Sequence, residues 1–292
     1  MSVVINTNVD AIKIQNCLTS STSRMSASME RMSTGLKVNS AKDDAAGTVI
    51  SARMEVQLNG NKIAQNNIQN GSSLLQTAEG NLDVIEDNLQ RIRDLVLQAK
   101  NGTYSADEIK AMQDEVEERI AEVNRVSTSS KYSDLSLFED TSLQANGVTF
   151  QVGANSSEDN TISASKEIFA SVSFSGLTGV SDDSFTLVST TGGGTTVQSQ
   201  DTYKGYLDAL DEALDDVTSR KSKIGSAQNR LESALQTLTI QYENLSSAKS
   251  IITDADIAAE AAEYTQQSIL QQVSTALLAQ ANQAPSIALS LV

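Results

Sequence analysis

The sequence predicts a mainly α fold: a long antiparallel coiled-coil helix bundle formed by both chain ends, with a small β-hairpin-rich central block. Apolar residues recur at steps of three and four through both ends of the chain, whereas alternation of apolar and polar residues is confined to its middle. A single proline, Pro285, leaves the helical runs almost uninterrupted. A content of 39% hydrophobic and 4% aromatic residues, with no Trp, suits long helices sharing narrow seams better than one thick globular core.

At the N-terminal end, Val4, Ala11, Ile14, Leu18, Met25 and Met32 draw one seam down a helix, with sparse charges around it. At the other end Leu270, Val273, Leu277, Ala281, Ala284, Ala288 and Leu291 draw a second. Pairing the ends would hide both seams and leave a C-terminal helix with an exterior of neutral Gln and Ser, because Tyr264 to Val292 carries no charged side chain. A helix facing water normally carries charge on its outer face. The expectation is therefore that this face is covered too, by copies of the same chain, where repeated like charges would repel.

Between the ends the elements follow in order. Gly35 is placed to stop the first helix, and Ser40 with Asp43 reads as an N-cap and capping box for the next. A helix from Ala45 to about Lys100 carries the heptad Leu75, Ala78, Leu82, Ile85, Leu89, Ile92, Val96 and Ala99, with Asn101 and Gly102 as its stop. Ser105 and Glu108 form a second capping box, opening a helix through Ile109, Met112, Val116, Ile120 and Val123 to about Ser127. Residues 128–200 turn rich in Ser, Thr, Gly and Asp and hold all five Phe. The runs 148–152, 171–174 and 184–188 alternate as strands do, and Gly192 to Gly194 reads as a flexible connection. Helix resumes near Thr202 along Leu207, Leu210, Leu214, Val217, Ile224, Leu231, Leu235, Leu238, Tyr242, Leu245 and Ile252, a register interrupted by Lys221, Gln228 and Lys249. Residues 253–256 break it before the uncharged helix. Each seam residue fully buried contributes roughly 1.5–3 kcal/mol, enough for long helices to cohere without a wide core.

Composition also excludes. The net charge of -16 is uneven: residues 1–78 hold seven basic and five acidic groups, residues 79–219 nine and 26, and residues 220–292 five and six. The acidic middle is a solvated exterior with no basic footprint for nucleic acid. Without a single His, the Ser-His-Asp arrangement, the Cys-His pair and the HExxH zinc motif are impossible, so neither catalysis, nor a metal, nor a cofactor is expected. Asp182 with Asp183 and Asp215 with Asp216 read as solvated pairs, and the lone Cys17 as a small, partly buried side chain. No basic stretch followed by an apolar one opens the chain, so no secretory signal peptide is expected. No run reaches the roughly 18 apolar residues of a membrane span.

Several segments resemble those of bacterial flagellins: VINTN (4–8), STGLKVNSAKDDAAG (33–47), NLQRIRDL (88–95), RVSTSSKYSDLSL (125–137), FQVGAN (150–155), IGSAQNRLE (224–232), NLSSAKSIITDADIAAE (244–260), SILQQ (268–272) and LAQANQ (278–283). The resemblance implies a subunit of the flagellar filament, exported through the flagellar type III apparatus with the help of an export chaperone and assembled beneath a cap. It implies terminal helices, 1–39 and 257–292, in the filament's inner core; a helical rod of 40–127 and 202–256; and a short outer segment, 128–201. Self-assembly would then rest on Ile14, Leu18, Met25, Met32, Leu270, Val273, Leu277 and Leu291. A hook-filament junction protein shares similar ends, and a secreted coiled-coil type III effector is the reading from another class. An effector would not need the uncharged C-terminal helix.

Flagellins are also recognised by Toll-like receptor 5, and the resemblance places that contact on Gln90, Arg91, Ile92, Arg93, Asp94, Leu95 and Gln98, with Glu115 and Arg119 on the following helix. Asn88, Arg91, Leu95 and Gln98 share a face off the heptad seam, which would make Leu95 an apolar side chain among polar ones and a contact for receptor or neighbouring subunit.

Overall fold

The computed structural model describes residues 7–191 and 194–289, and the chain divides into two compact units. One is built from the chain up to Leu58 and from Tyr242 onward, the other from Asn59 to Gln241.

In the first unit, α1 (Val9–Thr34) runs antiparallel to α7 (Ile257–Leu289). The direction is fixed by three contacts: Asn8 Nδ2 donates to the Ala281 carbonyl at 2.8 Å, Gln271 Nε2 to Thr22 Oγ1 at 3.4 Å, and Arg31 Nη1 to Glu260 Oε1 at 3.0 Å. Asn8 also caps α1, accepting from the Ala11 N–H. Gly35 ends the helix at φ 73°, a left-handed position open to glycine, with its N–H on the Arg31 carbonyl at 2.8 Å. The breaks beside these helices meet: Lys37 N–H donates to the Thr253 carbonyl (2.7 Å) and Ala255 N–H to the Gly35 carbonyl (2.9 Å). The long helix α2 (Ala45–Ala99) starts at a cap different from the expected one. Ser40 and Asp43 close a turn of their own, Ser40 N–H on Asp43 Oδ2 at 3.0 Å, and it is Asp44 whose carboxylate accepts the Gly47 N–H at 2.9 Å. The helix starts at Ala45, so the cap position falls to Asp44, and Ser40, four residues earlier, belongs to the preceding turn.

The second unit holds the apolar core. All eight heptad residues from Leu75 to Ala99 are buried in it, as are Ile109, Val116, Ile120 and Val123 of α3 (Ala106–Ser129), which opens with the Ser105–Glu108 capping box. The helix α6 (Gln200–Thr253) lies antiparallel to α2, as Arg93–Asp211, Lys221–Asp83 and Gln228–Glu79 contacts record: residue numbers rise along one helix as they fall along the other. The polar residues that interrupt the α6 register are each matched. Lys221 reaches Asp83 (2.6 Å) and Glu86 (2.7 Å), which hold its ammonium well above the ordinary lysine pKa, and Gln228 reaches Glu79 (3.0 Å). In the first unit Lys249 likewise reaches Glu55.

Between α3 and α6 come, among the described residues, three two-stranded antiparallel sheets: β1 (Lys131–Tyr132) with β2 (Leu135–Ser136), β3 (Val148–Gln151) with β4 (Thr161–Ala164), and β5 (Val188–Thr191) with β6 (Gly194–Val197). Two short helices, α4 (Thr141–Asn146) and α5 (Phe174–Thr178), interleave with them. The run 148–152 is a strand as expected over Val148–Gln151. Residues 171–174 are not: the Ser173 hydroxyl accepts the Gly176 N–H and starts α5 instead. Of 184–188 only Val188 enters a strand. Residues 192 and 193 of the expected flexible connection lie outside the described residues. All five Phe are buried, with Phe185 stacked on Tyr206 at 4.2 Å and edge-on to Phe174 at 5.1 Å. Gln113 clasps the same place from α3, accepting the Leu187 N–H at 2.6 Å and donating to the Phe185 carbonyl at 3.3 Å. The block is thus part of the core, although its composition reads as surface.

The hairpin β3–β4 lies against α2, where a Cβ on Gly71 would meet the Phe150 ring at 2.7 Å. Gly71→Ala is expected to displace that hairpin and lower stability, and Leu82→Ala to cost about 2–5 kcal/mol by leaving a cavity. Denaturant unfolding measures both. A neutral Gly71→Ala would show that the hairpin is not held at this contact.

Candidate functional site

The α1/α7 pair buries several polar residues and leaves large apolar side chains of α7 exposed. Buried between its helices are Ser21 and Ser28 of α1 with Gln267 (4% exposed) and Ser274 (9%) of α7. The N-terminal seam faces inward as expected: Ile14, Leu18, Met25 and Met32 are half-buried on the side of Ser21 and Ser28. The C-terminal seam does not. Leu270, Val273 and Leu277 are 42%, 48% and 51% exposed, with Ile269 beside them at 55%. This corrects the expectation that end-pairing hides both seams, although Gln266, Gln272 and Gln280 are exposed on α7 as expected. Small serines let two backbones approach closely, and a Leu at the same place would hold them apart. The polar residues therefore take the inside, and the apolar side chains of α7 point away. Leu291 lies outside the described residues, as do the side chains of Ala284 and Ala288. On α1, Val9, Ile12 and Met29 are likewise about half exposed, and Cys17 is exposed, where a partly buried side chain was expected.

A second candidate surface lies where α2 runs antiparallel to α3. Arg91 grips Glu115 with both ends of its guanidinium, Nε to Oε1 at 2.7 Å and Nη2 to Oε2 at 2.9 Å. Arg119 Nη1 donates to Asn88 Oδ1 at 3.1 Å. Gln90, Arg91, Gln98 and Arg119 are exposed and Glu115 is half-buried. Leu95 is only 2% exposed, so it is a core residue and not a surface contact. The error has a physical source. A helix with one partner buries one seam, but here Asn88 and Leu95 are buried beside Leu89, Ile92 and Val96, a stripe too wide for a single partner. Among the described residues no group of His, Cys, Asp or Glu could hold a metal ion, and no helix is long and apolar enough to cross a membrane.

A helical chain that brings its two ends together and leaves uncharged apolar side chains facing outward is a subunit made for association. Comparison with known proteins gives this class its family. Residues 5–142 match the bacterial flagellin N-terminal helical region and residues 207–292 the bacterial flagellin C-terminal helical region. The flagellin of Bacillus subtilis is 37% identical over 306 residues, covering 99% of both chains, and that of Halalkalibacterium halodurans 36% over 290 residues, covering 99% of this chain and all of its relative. In fold alone the chain is similar to a putative flagellar hook-associated protein of Vibrio parahaemolyticus, with a TM-score of 0.52 at 16% identity over 72% of this chain and 99% of that one. The chain belongs to the bacterial flagellin family. It is a structural subunit of the extracellular flagellar filament and not an enzyme.

The Arg91–Glu115 pair predicts a pH dependence. The hydrogen bond from Arg91 holds the Glu115 carboxyl below its usual value of 4.5. A carboxylate whose folded value is the lower one stabilises fully above its unfolded value, and that contribution is lost as pH falls through the lowered one. Glu115→Gln is therefore expected to lower the thermal midpoint slightly at neutral pH, with the difference from the parent vanishing in strong acid. A difference that persists in acid would assign the effect to something other than this ion pair.

Proposed function

We propose that the outward apolar residues of α7 are contacts between copies of this chain within the filament. Ile269, Leu270, Val273 and Leu277 make these contacts, while Ile14, Leu18, Met25 and Met32 fasten α1 to α7 and so hold that face in place. The observation that carries the reading is the exposure of Leu270, Val273 and Leu277 on a helix without a charged side chain after Glu263. Such a surface is an association face in search of cover. Full burial of a large apolar side chain contributes roughly 1.5–3 kcal/mol, and these are half covered already, so each adds about 1 kcal/mol on assembly. Repeated around a helical polymer, four such residues per copy hold a stable core. Leu291 belongs to the same proposal through its place in the sequence alone.

The remaining partners are proposed with the support of family membership: export through the flagellar type III apparatus, an export chaperone, a cap under which subunits add, and Toll-like receptor 5. For the receptor, Gln90, Arg91, Gln98, Glu115 and Arg119 form the contact, supported by their exposure and by the guanidinium–carboxylate pair at their centre. Leu95 is withdrawn from that set because it is buried. The division into an inner-core pair, a helical rod and a short outer segment, at the boundaries given above, is proposed on the same footing.

Leu270→Asp and Leu277→Asp place charge on the outward face without touching the α1 contact. Each is expected to leave helical content intact and to abolish filament growth on seeds, read by electron microscopy and sedimentation, as is deletion of residues 264–292. Filaments of normal length from the Asp variants would remove this face from the assembly contacts. Arg91→Ala is expected to weaken receptor signalling by purified monomer several-fold, and unchanged signalling would exclude the α2–α3 surface.

A further inference from the structure

The chain contains four Asn-Gly dipeptides: Asn59–Gly60, Asn70–Gly71, Asn101–Gly102 and Asn146–Gly147. In this dipeptide the backbone nitrogen of the glycine can attack the asparagine side-chain amide, because glycine has no Cβ to block the approach and its backbone bends freely. Whether it does so depends on whether that nitrogen is free. The first two dipeptides lie inside α2, where a glycine N–H is tied into the helical ladder. Gly60 and Gly71 are also packed closely, against Ala154 and the Phe150 ring. The Gly147 N–H is held by the Leu143 carbonyl at 2.8 Å as the cap of α4.

Asn101–Gly102 differs on every count. It lies in the connection between α2 and α3, both residues are exposed, and nothing comes within 4 Å of where a Gly102 Cβ would stand. The flanking N–H groups are occupied, Asn101 on the Gln98 carbonyl at 3.0 Å and Thr103 on the Asn101 carbonyl at 2.7 Å, while the Gly102 N–H makes no hydrogen bond among the described residues.

We propose that Asn101 is a site of spontaneous deamidation in this protein. The Gly102 nitrogen attacks Asn101 Cγ, forming a C–N bond. The carbon's bond to the side-chain nitrogen breaks, and that nitrogen leaves as ammonia, taking up the proton that Gly102 gives off. Water then opens the cyclic imide at one or other carbonyl, giving aspartate or, with the main chain rerouted through the side chain, isoaspartate. Either product adds one negative charge just beyond the C-terminal end of α2, where the helix dipole disfavours it. Isoaspartate also lengthens the short link between Ala99 and Ser105 by a methylene. The reaction gives an extracellular subunit a covalent mark of its age.

The test follows the purified full-length chain in mildly alkaline buffer, with peptide mass spectrometry and isoaspartyl methyltransferase labelling over time. The peptide holding Asn101 is expected to gain about one mass unit and become a methyl acceptor at least about tenfold faster than those holding Asn59, Asn70 and Asn146, which react only after local opening. Gly102→Ala, which meets no neighbour, should slow conversion at Asn101 about tenfold while leaving the circular dichroism spectrum and the other three rates unchanged. Equal rates at all four positions, a faster rate at Asn146, or a Gly102→Ala variant that converts as fast as the parent would each overturn the proposal.

Discussion

The close approach of α1 and α7 is the constraint from which the chemistry of this protein follows. Ser21, Ser28 and Ser274 lie at the line of contact with Gln267, and residues of this size allow two helices to meet almost backbone to backbone. With the interior filled in this way, the branched side chains of α7 have only the outside left. A pair of helices that buries Ser and Gln beside the half-buried seam of α1, and leaves Ile269, Leu270, Val273 and Leu277 of α7 outside, departs from the pattern of a soluble hairpin. It becomes favourable when further apolar surface arrives.

The other unit obeys ordinary rules. Its helices bury apolar stripes against one another and against the aromatic residues of the strand-bearing block, while Arg220, nearly buried, donates to the Ala170 carbonyl and to Asp216 and ties that block to α6. Lys221 and Gln228 sit where the seam would place leucines, and each meets a carboxylate of α2. Such pairs contribute modest energy and give the polar residues of the α6 seam a partner in the observed register.

Much of this was legible in the residues. Helix ends were marked by Gly35, by the Ser105–Glu108 box and by the break at residues 253–256, because caps and breakers act locally and carry their signal in a few adjacent side chains. The heptad from Leu75 to Ala99 gave the core face of α2 because one seam with one period leaves little choice. What misled were places where more than one partner acts. Ser40 lost its cap to Asp44 because a separate turn, closed by Asp43, precedes the first residue of the helix. Leu95 read as exposed because a seam argument assumes a single neighbour.

The sequence alone determined that both ends are helical, that they belong together, that no histidine chemistry is available and that the C-terminal helix is uncharged after Glu263, since these depend on composition and period. Only the tertiary structure decided which side of α7 meets α1. Period tells how far apart like residues stand on a helix and not which stripe a partner selects. That selection is made by how closely two backbones can approach, a property of both helices together.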